Sequence, residues 1–266
     1  MPNISKSIIL GTAKLHHIWR RDKFNAIILE ALNLGIEKFD IAPLYGGGTT
    51  QKRLIKVIKG TNATVNTKAG LKRISLTFES SLFEYWLRYF FFRLFRGKFV
   101  TEEDLSLISD CIKNSYSLHK NLVKINTLFI HEPPSFENDF SDSLIHNFIN
   151  ILIKFKEINH FKNIGIAGEN VFQYKKFFDL GLLDVIQTSS SNLINTEESD
   201  IISCLNNCKR LNLYGIHYVD KKKLVNKLNN LFDNVDQLPK VSIIVSSTKP
   251  KYLFNRIKKA MSIVPF

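Results

Sequence analysis

Short apolar runs recur along the chain, bounded by Gly, Pro, Asn or charged residues. Between them lie longer stretches in which apolar positions return every three or four residues. The short runs read as strands: Ser7–Ala13, Ile36–Ala42, Thr64–Ala69, Ile125–His131, Asn163–Ala167, Asp184–Thr188, Leu213–Val219 and Val241–Ser247. The longer stretches read as helices. In "RDKFNAIILEALNLG", Phe24, Ile27, Ile28, Ala31 and Leu32 share one face and Gly35 stops the helix. The same period runs through "TEEDLSLISDCIKNS", "SDSLIHNFINILIKFKEI", "ESDIISCLNNCKRL" and "DKKKLVNKLNNLFDN", and Thr101 with Asp104 caps the first of these four.

Eight strand–helix units in 266 residues predict an α/β chain, a (β/α)8 TIM barrel forming a single domain over 1–266 with an insert over roughly 71–100 after strand three. A doubly wound open sheet is the alternative. Against it, no G-x-G-x-x-G follows the first strand, where "ILGTAKLHH" makes a different turn.

Composition adds bounds. At 44% hydrophobic, the chain can bury a substantial core. "MPNISKSIIL" carries no basic-then-apolar leader, and no apolar run approaches the ~20 residues that cross a bilayer, so a cytoplasmic protein is expected. Three cysteines, Cys111, Cys204 and Cys208, make no disulfide framework; Cys204 and Cys208, spaced i, i+4, read as packing rather than as metal or redox ligands. The net charge of +13 fits nucleic acid, anionic lipid, a phosphorylated small molecule, or simply a lysine-rich surface.

Chemistry gathers where a barrel keeps its active site, at the C-terminal strand ends. "FDIAPLYGGG" carries Asp40 and Tyr45 after strand two, "NTKAG" carries Lys68 at the end of strand three, and "LFIHEPP" carries His131 at the end of strand four. Singly, each has an ordinary structural reading: a packed aromatic, a satisfied core histidine, a surface ion pair. On three consecutive strands, the four groups would converge. Reducing a carbonyl with hydride creates an alkoxide that must be protonated, and a free tyrosine, with a pKa near ~10, holds its proton too tightly for easy exchange. A buried Lys68 ammonium beside Tyr45 would stabilise the phenolate, Asp40 would keep Lys68 charged and placed, and His131 would orient the carbonyl oxygen.

With these residues the sequence resembles the aldo-keto reductase family, NAD(P)H-dependent barrel enzymes. The resemblance is carried in order by "GTAK", "FDIAPLYGGG" with its Asp-x-Ala-x-x-x-Tyr-Gly pattern, "NTKAG", "LFIHEPP", "NIGIAG", "DVIQTSSSNL" and "VSIIVSSTKPKYLFNRI". It implies that Asp40, Tyr45, Lys68 and His131 form the catalytic tetrad, with Tyr45 as general acid. The activity it implies is reduction of an aldehyde, ketone or sugar-derived carbonyl to an alcohol, with a small-molecule carbonyl compound as substrate.

The resemblance also implies cofactor contacts. Gln187 matches the glutamine that holds the nicotinamide carboxamide. The family's Ser-Asn pair corresponds to Ala167 and Gly168, so two side-chain hydrogen bonds of ~0.5–1.5 kcal/mol each are absent, with backbone groups or Asn170 as substitutes. Ser246, Ser247 and Thr248 offer hydroxyls and amides to the adenosine phosphates, and Lys249 and Arg256 offer charge to the 2′-phosphate of NADP; a basic helix end favouring its own dipole is the plainer reading. Tyr252 stands where many relatives carry an arginine. Surrounding positive charge favours NADPH, with NADH as the alternative. His217 or Tyr218 aligns with the residue that stacks on the nicotinamide. The chain also departs from the family in "TTQKRLI" after the tyrosine, in the short "GIHYVDKKKL" after strand seven, and in ending at Phe266.

One segment lies outside the pattern. In "LFEYWLRYFFFRLFRGK", Leu82 to Lys98, a helical wheel gathers Phe83, Leu87, Phe90, Phe91, Leu94 and Phe95 on one side and Arg88, Arg93 and Arg96 on the other. It reads as an extra packed helix, as a wall of the substrate pocket, or as a membrane-surface contact. Nucleic acid is not expected, since no recognised motif accompanies the charge. Against the enzyme reading stands a barrel kept as a binding or regulatory subunit, favoured by the altered "IAG" turn and opposed by the complete tetrad.

Overall fold

The computed structural model describes residues 7–43, 45–69, 124–131, 142–159, 161–179, 181–235 and 239–263. The insert over 71–100 with its aromatic stretch, the Thr101–Asp104 cap and its helix, and Cys111 lie outside the described residues.

Eight parallel strands close into a barrel in sequence order: β1 (Ile8–Gly11), β2 (Lys38–Asp40), β3 (Thr64–Ala69), β4 (Lys124–His131), β5 (Asn163–Ala167), β6 (Val185–Ser189), β7 (Arg210–Tyr214) and β8 (Lys240–Val245), with β8 pairing back onto β1. Helices α1 (Arg21–Asn33), α2 (Thr49–Ile58), α3 (Asp142–Asn159), α4 (Lys175–Asp179), α5 (Ser190–Asn195), α6 (Glu198–Leu205), α7 (Lys221–Asn234) and α8 (Leu253–Met261) fill the described connections. This is the (β/α)8 fold that the alternation of short and long apolar segments predicts. Among the described residues, no helix is long and apolar enough to cross a membrane.

The core has two parts, set by the two faces of each strand. Outward-facing strand residues meet the helices. In α1, Phe24, Ile27, Ile28 and Ala31 of the face predicted from its period are fully buried and Leu32 is partly buried, and each large fully buried side chain contributes about 1.5–3 kcal/mol. Inside the barrel, Phe129 of β4, Ala167 of β5 and Val185 of β6 form a separate small cluster. Phe129 and Val185 lie two residues before His131 and Gln187 on the same strand faces, and Ala167 stands in register with both polar residues. Gly165 belongs to the same packing, because a Cβ there would lie 2.5 Å from the Phe129 ring.

The strands end close to where the apolar runs end, with one exception. The seventh strand is Arg210–Tyr214, not Leu213–Val219, and α6 stops at Leu205 rather than continuing to Leu211. Gly215 has φ of 75°, a left-handed conformation that ends extended pairing, and Tyr218 N–H then bonds back to the Gly215 carbonyl in a turn. His217 and Tyr218 therefore sit in a loop beyond the strand. Cys204 and Cys208 are buried thiols near the carbonyls of Phe172 and Leu183. Burial, then the neighbouring Cys204 and Asp184, pushes the Cys208 thiol up. No cluster of metal-ligating side chains occurs among the described residues.

Candidate active site

At the C-terminal strand ends a cleft of about 270 Å³ opens, lined by residues that include Asp40, Tyr45, Lys68, His131 and Gln187. Asp40 ends β2 and is clamped there from β1: Thr12 donates to the Asp40 carbonyl from both its hydroxyl, 2.8 Å, and its amide, 3.1 Å. Tyr45 follows in a tight turn, its amide bonded to the Ala42 carbonyl at 3.0 Å. The next residue, Gly46, has φ of 58°, and a Cβ there would lie 2.6 Å from the Cβ of His16. The glycine after the tyrosine is thus required by both conformation and space.

Lys68, on the inner face of β3 and 2% exposed, reaches three acceptors. Its ammonium lies 2.6 Å from Asp40 Oδ1, 3.2 Å from the Ile41 carbonyl and 3.2 Å from Tyr45 Oη. Tyr45 Oη is 3.5 Å from Asp40 Oδ2, the outer limit of a hydrogen bond. Breaking the Asp40–Lys68 pair would strand one buried charge without its partner, which costs far more than the net value of the pair. Lys68 is therefore held charged at the cleft floor with the Tyr45 hydroxyl against it.

His131, the last residue of β4, also lines the cleft. Burial, with Lys68 nearby adding to it, pulls the imidazole down to about 3. At neutral pH the ring is uncharged and can donate one N–H to an oxygen in the cleft.

Gln187, 3% exposed on β6, donates from Nε2 to Asp40 Oδ1 at 3.1 Å. A carboxylate only accepts, so the amide group must face it, and this leaves Gln187 Oε1 buried with no hydrogen-bond partner. Ala167, the last residue of β5, is its register partner, and the amide of the following Gly168 is already bonded to the Gln187 carbonyl at 3.1 Å. Of the backbone groups at this turn the Gly168 N–H is therefore already used, and Asn170 is exposed.

The remaining positions separate. Ser246 and Arg256 line the cleft, and the Arg256 guanidinium donates to the Ser246 carbonyl. Ser247 turns its hydroxyl into its own loop, accepting from Lys249 N at 3.2 Å and donating to the Lys249 carbonyl at 2.7 Å. Thr248 and Lys249 are exposed and are not among the described lining residues, with the Lys249 ammonium over the Tyr252 ring. Tyr218, 76% exposed, stands at the mouth and accepts from Lys14 Nζ at 2.6 Å. His217 lines the cleft and has a buried Nε2 without a partner. Burial, then Arg256, Lys259 and Lys14, lowers its pKa, so this side of the cleft is a positive environment.

A cleft-lining tyrosine escaped the sequence reading. Tyr214, the last residue of β7, sits in register with Ser189 of β6. Its hydroxyl donates to Glu169 Oε1 at 2.9 Å, and Ser189 donates to Glu169 Oε2 at 2.7 Å. The signal was the "LNLYG" run, where Leu211 and Leu213 alternate with polar residues up to a strand-ending glycine.

A nicotinamide dinucleotide fits this arrangement at both ends. The unpartnered Gln187 Oε1 is an acceptor suited to a carboxamide N–H, and the unpartnered His217 Nε2 among Lys14, Arg256 and Lys259 suits a phosphate.

No family model matches the chain, and no curated protein matches it in sequence. Solved structures do resemble it. A Pseudomonas aeruginosa protein described as a candidate aldo-keto reductase is 18% identical, with a TM-score of 0.65, over 97% of this chain and 90% of that one. An aldo-keto reductase from Bacillus halodurans in its holo form is 14% identical, with a TM-score of 0.65, over 98% and 88%. A glycerol dehydrogenase from Gluconobacter oxydans is 16% identical, with a TM-score of 0.62, over 96% and 90%. The fold of this chain is the closed parallel barrel of the solved aldo-keto reductases.

Proposed function

We propose that this protein is an NADPH-dependent oxidoreductase of the aldo-keto reductase type, reducing an aldehyde, ketone or sugar-derived carbonyl to the alcohol. The observation that carries this reading is the Lys68 ammonium within hydrogen-bond reach of both the Asp40 carboxylate and the Tyr45 hydroxyl, at the floor of a cleft. When bound, the nicotinamide supplies hydride to the carbonyl carbon. The proton for the oxygen comes from Tyr45 Oη. Lys68 stabilises the phenolate oxygen left behind, and Asp40 keeps Lys68 charged in a site where an unpaired ammonium would be costly. Neutral His131 donates an N–H to the carbonyl oxygen and so orients it for both transfers.

Gln187 Oε1 would accept from the carboxamide, Tyr214 would stack against the ring, and His217, Arg256 and Lys14 would meet the phosphates. Positive surroundings at that end support NADPH over NADH. The reading is tested by quenching of tryptophan fluorescence with NADPH and NADH, followed by turnover of an aldehyde, ketone and sugar panel by wild type and Tyr45→Phe. Micromolar binding with NADPH preferred, and turnover lost in the variant, is the expected result. No binding of either nucleotide would overturn it and leave a barrel that serves as a binding or regulatory subunit.

A further inference from the structure

Gln187 touches two things that a cofactor contact alone does not explain. Its Nε2 is fixed 3.1 Å from Asp40 Oδ1, the same oxygen that holds Lys68 at 2.6 Å, across 147 positions of sequence. Its Oε1 is buried and unpartnered in the cleft wall. One planar amide therefore joins the cofactor side of the cleft to the acid pair beneath Tyr45. We propose that Gln187 is a positioning residue for proton transfer, coupling occupancy of its Oε1 to the charge distribution of the Asp40–Lys68–Tyr45 array.

The physical chain is short. An N–H donated to Asp40 Oδ1 draws carboxylate charge away from Lys68, so more of the ammonium's field acts on Tyr45 Oη, 3.2 Å away. A donor bound at Gln187 Oε1 polarises the amide and strengthens that bond, because linked hydrogen bonds reinforce one another. It also removes an unpaired buried acceptor, which fixes the amide plane. Remove the amide, and Asp40 concentrates its charge on Lys68, which makes a phenolate at Tyr45 less favourable. Gln187 touches neither Tyr45 nor Lys68 in the bonds that define it; it acts through Asp40.

This inference rests on the proposed reductase reading for its purpose, but its test does not. Gln187→Met replaces the amide with an apolar chain of similar volume, and Gln187→Leu serves if the first variant does not fold. Ionisation of Tyr45 in cofactor-free protein is followed by ultraviolet difference titration, with Tyr45→Phe subtracted to isolate it. The expected result is that the Tyr45 transition moves to higher pH in the Gln187 variant, while NADPH binding by fluorescence quenching weakens about tenfold, the loss of one buried hydrogen bond. If NADPH binding weakens but the Tyr45 transition stays in place, Gln187 is a cofactor contact only and the coupling is wrong. An unmoved transition with unmoved binding overturns it equally. Failure of wild type to bind either nucleotide would sink the reductase reading, yet the titration would still decide the coupling.

Discussion

Lys68 holds its ammonium 3.2 Å from Tyr45 Oη while spending its shortest contact, 2.6 Å, on Asp40. The lysine is thereby paired with a buried carboxylate and set against the Tyr45 hydroxyl. Removing the phenol oxygen should leave the fold and the cofactor contacts intact. Tyr45→Phe is expected to lower kcat by ~10²–10⁴, the usual range for losing a general acid, with NADPH affinity little changed. Steady-state rates and a fluorescence titration on one preparation check this, and a variant retaining wild-type kcat would remove Tyr45 from the chemistry.

His131 gives a pH signature. Its folded pKa lies near 3, below the ordinary 6.5, because burial and Lys68 disfavour the imidazolium. Below about pH 6.5 the unfolded chain takes up a proton at this residue that the folded chain refuses. The stability His131 permits is thus fully present above 6.5 and falls with pH, by up to about 1.4 kcal/mol per unit, until the folded value is reached. His16 and His217 are also lowered and add to the wild-type slope. Chemical denaturation of wild type and His131→Gln between pH 4 and 7.5 should therefore show a shallower loss in the variant. Equal slopes would mean that His131 is protonated in the folded protein.

Tyr214 is argued from position. It closes β7, lines the cleft, and is tied through Glu169 to Ser189, so its ring is held by a hydroxyl tether from the neighbouring strand ends. Tyr214→Ala should weaken NADPH binding by about 10-fold through lost ring contact, in the range of an aromatic pair. Tyr214→Phe, which keeps the ring and loses the tether, should cost less. If Phe and Ala weaken binding equally, the hydroxyl matters and stacking does not.

The contrast between Tyr214 and Tyr218 marks how far the sequence could be read. The barrel was legible because each strand is a short apolar run whose outward face is buried against a periodic helix, as in β3 and β5, whose limits match the runs. Asp40, Tyr45, Lys68 and His131 were legible because each lies within a residue or a tight turn of a strand end. Strand seven starts three residues and ends five residues before the range read from sequence, because "LNLYGIHYV" is apolar on both sides of Gly215, and only the positive φ of that glycine separates strand from loop. The roles of Ser247 and Gly168 were hidden for a different reason. Gly168 spends its amide on Gln187, a neighbour close only in the folded chain, and Ser247 spends its hydroxyl on Lys249, two residues on, through a turn geometry that the residue types alone do not fix.

At the other end of the barrel, Asp184 precedes β6 and ties three elements together. It accepts from Lys209 at 2.9 Å, from Lys156 of α3 at 3.1 Å, and from the Ile164 amide of β5 at 3.1 Å. Burial pushes its carboxyl up, but the hydrogen bonds from Lys209, Ile164 and Lys156 outweigh this and hold it below the usual carboxylate value. Its contribution is therefore present above about pH 4 and lost as pH falls through the folded value. Asp184→Ala leaves the Ile164 amide unsatisfied and should cost about 2–3 kcal/mol, a Tm lower by roughly 5–10 °C for a domain of this size. Because Asp184 stands at the strand starts, remote from Tyr45, kcat at low temperature should not change. Calorimetry beside an activity assay separates the two, and a variant with wild-type Tm and reduced kcat would reverse the assignment of this residue to stability.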